Sequence, residues 1–305
     1  MKRKLGMGCV VLPAYNAAAT VATSVQSLLS RSYIDWELIV VNDGSTDATS
    51  DVVASYLSDG RVVLIEQENG GVSRARNAGI RVSRGEFVAF LDADDLWETS
   101  KLAEQVACFH VAPESLGIVH TRYVSFIKDP SCFRRKDDES CFGYLPPAER
   151  ILVYDFIATS AVMVRASILE EVGLFDENLF GTEDWDLWIR ILSRYDQHKL
   201  DKVLLRYRES ATGLSADTLK HQTEEWKVIE KQLLSRASIP AHLKAKAIFY
   251  HKMKELIYLV NHMAFGRFLV KVFCSMMTYP RAYFDPSNYL DAVHIFLYRN
   301  ILKRW

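Results

Sequence analysis

The sequence has no run of about twenty apolar residues of the kind that spans a bilayer. Its longest uncharged run, residues 6–30, is interrupted by Pro, Asn, Thr, Ser and Gln, and reads as strand, loop and helix. The basic start MKRK is followed by a short apolar run that meets Pro13 at once, so no secretory signal is expected. There is no CxxC pair. The five cysteines, at 9, 108, 132, 141 and 274, are odd in number and scattered, so neither a disulfide framework nor a zinc site is signalled, which suits the reduced thiols of a cytoplasmic protein. Cys132 and Cys141, which flank a charged loop, are the one pair left open. The eight histidines form no metal-ligand cluster, and no internal repeat is evident. The glycine-rich NGGVSRARNAG lacks the GxGxxG spacing after a first strand, so a nicotinamide enzyme is set aside.

Charge is short of one sign in each part. Residues 1–218 carry 23 Lys and Arg against 32 Asp and Glu, whereas residues 219–305 carry 14 against 6. The acidic first part argues against nucleic acid as a partner. The basic, aromatic tail suggests an anionic membrane surface instead. In the tail, Phe265, Phe268, Leu269, Val272, Phe273, Met276 and Met277 form an i, i+3, i+4, i+7 stripe. Two readings stay open for it, a membrane-facing stripe or a packing face on the rest of the protein.

What is present is an alternation. Four short apolar runs, at 8–16, 37–45, 61–67 and 86–95, are separated by helical patterns at 18–32, 46–58 and 71–83. Continuous apolar runs of this length predict strands buried on both faces of a parallel sheet, hence an α/β doubly wound domain. Asp47 and Ser73 are the expected caps of the second and third helices. The middle, roughly 120–160, is read as an irregular loop. Residues 182–195 read as a helix with Thr182 as cap, and a strand and helix before it end near Gly173. The expected division is a domain at 1–218 and a helical, basic region at 219–305.

Each strand of such a sheet delivers ligand-binding residues at its carboxyl end. Here those residues are Tyr15 and Asn16, then Asn42, Asp43 and Ser45, then Asp92, Asp94 and Asp95. Three carboxylates within four residues repel one another unless a cation sits among them. An Asp-x-Asp at a strand end suits a hard divalent cation, Mn2+ or Mg2+, that in turn binds a diphosphate. A second acidic cluster, Glu183 and Asp184, opens a Trp-rich helix. It is separate from the metal acids, as a general base must be.

These segments resemble the family 2 glycosyltransferases, inverting enzymes with the GT-A fold, a Rossmann-like, mostly parallel sheet flanked by helices. The resemblance rests on VVLPAYNAAATVATSVQSLLSRSYIDWELIVVNDGSTDAT, on ENGGVSRARNAGIRVSRGEFVAFLDADD and on TSAVMVRASILEEVGLFDENLFGTEDWDLWIR. It implies that Pro13, Ala14 and Tyr15 line the nucleotide pocket, that Asp43 accepts from uracil or ribose with Asn42 before it, and that Gly71, Arg74 and Asn77 pass under the phosphates. It implies Asp92 and Ala93 beside the ribose or sugar, and Asp94 as main metal ligand with Asp92 and Asp95. It implies Asp184 as catalytic base beside Glu183, with Trp185 offering an indole to the acceptor sugar. Where many members have a histidine that touches the metal, this chain has Ser210, and Arg206 or Arg208 is left to meet the diphosphate. The implied partners are a UDP-sugar donor and a glycan or lipid-linked oligosaccharide acceptor, as in surface polysaccharide, capsule or lipopolysaccharide assembly. The expected setting is the cytoplasm, and the basic amphipathic tail, which lies outside the resemblance, suggests attachment to the inner face of the membrane. A polyprenyl-phosphate glycosyltransferase and a non-catalytic sugar-nucleotide-binding scaffold remain as alternatives.

Overall fold

The computed structural model describes residues 3–29, 33–135, 145–209 and 218–262, together with Met276. The chain divides into two compact units. One comprises residues 1–137 and 157–216, the other residues 138–156 and 217–305. The second unit therefore takes in a segment from the middle of the chain as well as the tail.

The four apolar runs form β1 (Lys4–Ala14), β2 (Trp36–Asp43), β3 (Val62–Gln67) and β4 (Gly85–Phe90), joined by α1 (Val21–Leu29), α2 (Thr49–Ala54) and α3 (Val72–Val82). All four strands are mutually parallel in the order β3-β2-β1-β4. Every residue of β2 is buried. Leu38 and Val40 enter the large core cluster with Val10, Leu12, Phe87 and Ala89. Ile39 and Val41 point the other way, onto Ala75 of α3. A strand covered on both faces shows no polar alternation, which is why the run reads as continuously apolar. Close packing of α3 on β1 depends on Gly79, where a Cβ would lie 2.5 Å from Val11 Cγ1.

After β4 the sheet becomes mixed. β5 (Leu96–Trp97), α4 (Lys101–Val111), β6 (Leu116–Phe126) and β7 (Phe133–Arg135) follow in the first unit, and α5 (Pro147–Val153) lies in the second. The first unit resumes with a 3-10 turn at Thr159–Ala161, β8 (Val162–Arg165), α6 (Ala166–Val172), α7 (Glu183–Leu192) and β9 (Asp196–Arg208). The order continues β4-β8-β6-β9-β5, with β7 on β6. β8 is antiparallel to both β4 and β6, whereas β6 and β9 are parallel. The expected irregular stretch from 120 is thus, as far as Phe126, the latter part of an eleven-residue strand. Its polar centre, His120, Thr121 and Arg122, hid it. His120 and Thr121 are buried at 3% and 2% exposure, a placement that only the partner strands create.

The helix ends are mostly where expected, but by other means. Gly173 closes α6 with φ +87°, and Thr182 stands at the N-cap of α7 without a side-chain cap bond. Ser73 lies inside α3, where Gly71 takes the N-cap position. Asp47 stands one residue before the N-cap of α2, and its Oδ1 accepts the Thr49 N–H at 3.0 Å.

In the second unit, α8 (Thr218–Val228) continues as a π-helical turn at Ile229–Leu234, and α9 (Ala241–His262) follows. Val153, Tyr154 and Tyr250 form its buried cluster, and the buried His251 meets Glu225 at 3.1 Å and the Val153 carbonyl at 2.9 Å. Among the described residues no helix is long and apolar enough to cross a membrane. Apart from Met276, the 265–277 stripe lies outside the described residues, as do Ser210 and Cys141.

Candidate active site

The carboxyl ends of β1 and β2 are stitched into one rim. The Asn16 N–H donates to Ser45 Oγ at 2.9 Å, and Asn16 Oδ1 accepts the Thr46 N–H at 2.9 Å. Asn16 stands at φ +49°, a left-handed position that Asn tolerates. Pro13 and Ala14 are buried, and Tyr15 is 54% exposed beside them.

Asn42 and Asp43 shape the next loop. Asn42 Nδ2 donates to Glu66 at 2.6 Å, and its Oδ1 accepts the Ser45 N–H at 3.1 Å. Asp43 is 3% exposed. It accepts from Gln67 Nε2 at 2.7 Å and from the N–H groups of Gly70 and Gly71 at 2.9 and 2.8 Å. A carboxylate has about four acceptor positions, so three of them hold the glycine loop and about one remains for a ligand. Gly44 closes the same turn, where a Cβ would lie 2.7 Å from the Asn69 nitrogen. Gly71 (φ +87°) and the exposed Arg74 border this loop. Asn77, expected under the phosphates, instead pins a distant loop. Its amide donates to the Phe175 carbonyl and to Glu177, both at 2.9 Å, and accepts the Phe175 N–H at 3.0 Å. Asn77 stands one turn further along α3 than Arg74, where the 175–177 loop takes up its amide.

The apolar run ends at Phe90 because the chain turns there, with the Asp95 N–H donating to the Asp92 carbonyl at 3.1 Å. The turn separates its three acids. Asp92 accepts from Arg76 Nη2 at 2.8 Å. Ala93 packs against the large core. The Asp94 carboxylate, among the described residues, is hydrogen-bonded to no other residue and ion-paired with none. Burial first, and Asp92 second, push its pKa up to about 6. Asp95, expected as a third ligand, is fully buried and accepts the Arg208 N–H at 2.8 Å. Burial, then the Asp92 and Asp94 charges, hold its pKa well above the ordinary carboxylate range. It is a structural acid of the turn.

Arg208 crosses over the turn. Its Nε donates to the Asp94 carbonyl at 3.0 Å, its guanidinium lies 4.5 Å from the Phe126 ring centroid, and its terminal nitrogens hold no protein partner among the described residues. Arg206 is tied to Glu98 and the Pro130 carbonyl. Among the described residues no group of three His, Cys, Asp or Glu is arranged to cage a metal. An unpartnered Asp94 beside Asp92 does fit a divalent cation of the kind that takes one or two carboxylates and completes its shell with phosphates and water.

The second acidic cluster opens α7. Glu183 is 3% exposed. It accepts from Arg76 Nη1 at 2.7 Å and from the Gly181 N–H at 2.7 Å. Asp184 is only partly buried. Its Oδ2 accepts from Thr159 Oγ1 at 2.6 Å, and its Oδ1 accepts the Trp185 N–H at 2.8 Å. Burial, then the Glu183 charge, push its pKa up to about 6. Trp185 offers no free face, being 1% exposed, and Trp188 is equally buried with its indole N–H on the Ile157 carbonyl. Aromatic residues at helical spacing here form core.

Arg76, which sequence reasoning passed over, joins the two clusters. Burial would lower its pKa, but Asp92 and Glu183 outweigh that and hold it above its ordinary value. Its partner Glu183 lies 107 residues away, so no local pattern announces the pair. The one available signal was the need for a cation among the acids.

Residues 9–173 match the sequence profile of the family described as Glycosyl transferase family 2. That is more than half of the chain. The chain belongs to glycosyl transferase family 2.

The matched region takes in the 92–95 turn and stops short of Glu183. Among family members, the UDP-Glc:alpha-D-GlcNAc-diphosphoundecaprenol beta-1,3-glucosyltransferase WfaP of Escherichia coli is 28% identical over 81% of this chain and 93% of its own. Two solved structures share the fold. TarS 1–349 of S. aureus in complex with UDP-GlcNAc superposes with TM-score 0.67 at 16% identity, covering 90% of this chain and 81% of that one. The mannosyltransferase PcManGT of Pyrobaculum calidifontis, in complex with GDP-Man and Mn2+, superposes with TM-score 0.61 at 19% identity, covering 97% and 87%. This family 2 glycosyltransferase therefore has the GT-A fold.

Proposed function

We propose that the protein is an inverting, metal-dependent glycosyltransferase. It moves a hexosyl or N-acetylhexosaminyl group from a UDP-sugar to a hydroxyl of a glycan or lipid-linked glycan in surface polysaccharide synthesis. The observation that carries this reading is Asp184, a partly buried aspartate with its pKa pushed up to about 6, separate from the Asp92–Asp94 turn while its neighbour Glu183 is bridged to that turn through Arg76. The WfaP name supports a UDP-sugar donor and a diphosphoundecaprenol-linked acceptor. The TarS and PcManGT complexes support a nucleotide sugar, and the PcManGT complex supports Mn2+.

In a single displacement the acceptor oxygen bonds to the anomeric carbon as the bond from that carbon to the diphosphate breaks, and the hydroxyl proton passes to Asp184. A carboxylate with a raised pKa is a stronger base than an ordinary aspartate, and it remains ionised at neutral pH. Asp94 and Asp92 would hold Mn2+ or Mg2+, whose charge offsets that of the leaving diphosphate. Arg208, with its terminal nitrogens uncommitted, faces the same leaving group. Arg76 holds Asp92 and Glu183 in place and offsets part of the repulsion among Asp92, Glu183 and Asp184. Pro13, Ala14 and Tyr15, with the remaining acceptor position of Asp43, receive the nucleoside. A lipid-linked acceptor sets the work at the cytoplasmic face of the membrane.

The test is UDP release from UDP-glucose, UDP-N-acetylglucosamine and UDP-galactose, with GDP-mannose as control. It is run with Mn2+, Mg2+ or EDTA, and with and without a GlcNAc-diphospho-lipid acceptor. The reading expects release from one UDP-sugar that EDTA abolishes and the acceptor accelerates. Nucleotide binding without release under any of these conditions sinks it in favour of a non-catalytic binding protein.

A further inference from the structure

The short turn Thr159–Ala161 touches both acid clusters. Thr159 Oγ1 donates to Asp184 Oδ2 at 2.6 Å. One residue on, Ser160 Oγ accepts the Asp92 N–H at 3.0 Å, and the Ser160 carbonyl accepts the Trp97 indole N–H at 2.8 Å. Both side chains are buried, at 7% and 1% exposure. The turn runs directly into β8, which pairs Val164 with Val88 and Met163 with Ala89 on β4, the strand that delivers Asp92. The sheet thereby sets the turn against the donor acids. The other Asp184 oxygen accepts only the N–H of the next residue, a bond that moves with Asp184 itself. Among the described residues, Thr159 thus makes the one hydrogen bond that fixes this carboxylate to the sheet.

We propose that Thr159 is the positioning residue of the base, orienting the Asp184 carboxylate from the same turn that holds Asp92 through Ser160. This rests on the reading of Asp184 as base. The charged groups facing Asp184 are Glu183, which disfavours its ionised form, and Arg76, which favours it. Thr159 adds a neutral, short donor. A hydroxyl bonds more strongly to a carboxylate than to a carboxylic acid, so its removal penalises the ionised form.

The test follows the Asp184 carboxyl carbon by 13C NMR titration, assigned by its loss in Asp184→Asn, alongside UDP release from UDP-glucose as a function of pH. Thr159→Val, which keeps shape and removes the hydroxyl, is expected to raise the Asp184 midpoint by about half a unit or more. It should lower release at saturating donor about tenfold with donor KM unchanged. Thr159→Ala gives the same shift, and Thr159→Ser restores both readouts. Ser160→Ala raises donor KM and leaves the Asp184 midpoint where it was. An Asp184 midpoint in Thr159→Val and Thr159→Ala equal to wild type, with Asp184→Asn inactive, overturns the assignment. Full activity of Asp184→Asn removes the base reading and this inference with it.

Discussion

Two pairs of neighbouring acids, Asp94–Asp95 and Glu183–Asp184, are divided in the same way although one sits in a turn and the other at a helix start. In each, one acid is buried and bound to backbone. Asp95 takes the Arg208 N–H, and Glu183 takes the Gly181 N–H along with Arg76. The other acid of each pair, Asp94 or Asp184, is only partly buried and has its pKa pushed up to about 6. Adjacent positions leave a turn or a helix in different directions, so neighbouring carboxylates need not share a role. The buried member holds the loop, and the partly buried member is the one that the proposed mechanism uses.

The largest expected effect breaks the first pair. Asp94→Asn should reduce UDP release about a thousandfold, whereas Asp95→Asn, which keeps an acceptor for the Arg208 N–H, should reduce it less than about tenfold. Equal losses would dissolve the distinction. In the second pair, Asp184→Asn should cost about a hundredfold to ten-thousandfold in rate. The wild-type rate should climb as pH rises through about 6 and then level off, as expected of a base that acts when ionised. The stability sign is opposite. The folded pKa of Asp184 lies above the ordinary 3.8, so the native state holds the proton more firmly. Its contribution is full below about 4 and is lost as pH rises through about 6. Urea unfolding of Asp184→Asn should therefore show a shallower decline over that window than wild type.

Arg76→Met comes next, because it leaves Glu183 buried without its counter-charge. Urea unfolding should register a loss of about 3–5 kcal/mol. A loss no larger than that of a surface arginine would mean Glu183 finds another partner. The smallest effect belongs to Asn77→Ala. It should cost about 1–3 kcal/mol through its unpaired loop partners at Phe175, with UDP affinity by calorimetry unchanged. A weakened UDP affinity would return Asn77 to the nucleotide pocket.

Strands β1 to β4 and the carboxyl rim were legible because they depend on local signals, a continuous apolar run closed by turn residues. β6 was not, since its buried His120 and Thr121 look like loop until β8 and β9 flank them. Trp185 was misread for a related reason. Helical spacing shows that an indole shares a face with its neighbours, not whether that face meets solvent or core. Thr159 and Arg76 carried no local signal, because their partners Asp184 and Glu183 lie 25 and 107 residues away.

By itself the sequence determined the α/β alternation, the ends of the first four strands and the presence of two acid clusters. Each of these follows from residues within a few positions of one another. Only the tertiary structure decided which acid of each cluster stays available, because burial and a shared counter-charge are set by chain segments far apart in sequence. Arg76 bridging Asp92 and Glu183, and Thr159 reaching Asp184, exist only once α3, the 159–161 turn and α7 have come together around the end of β4.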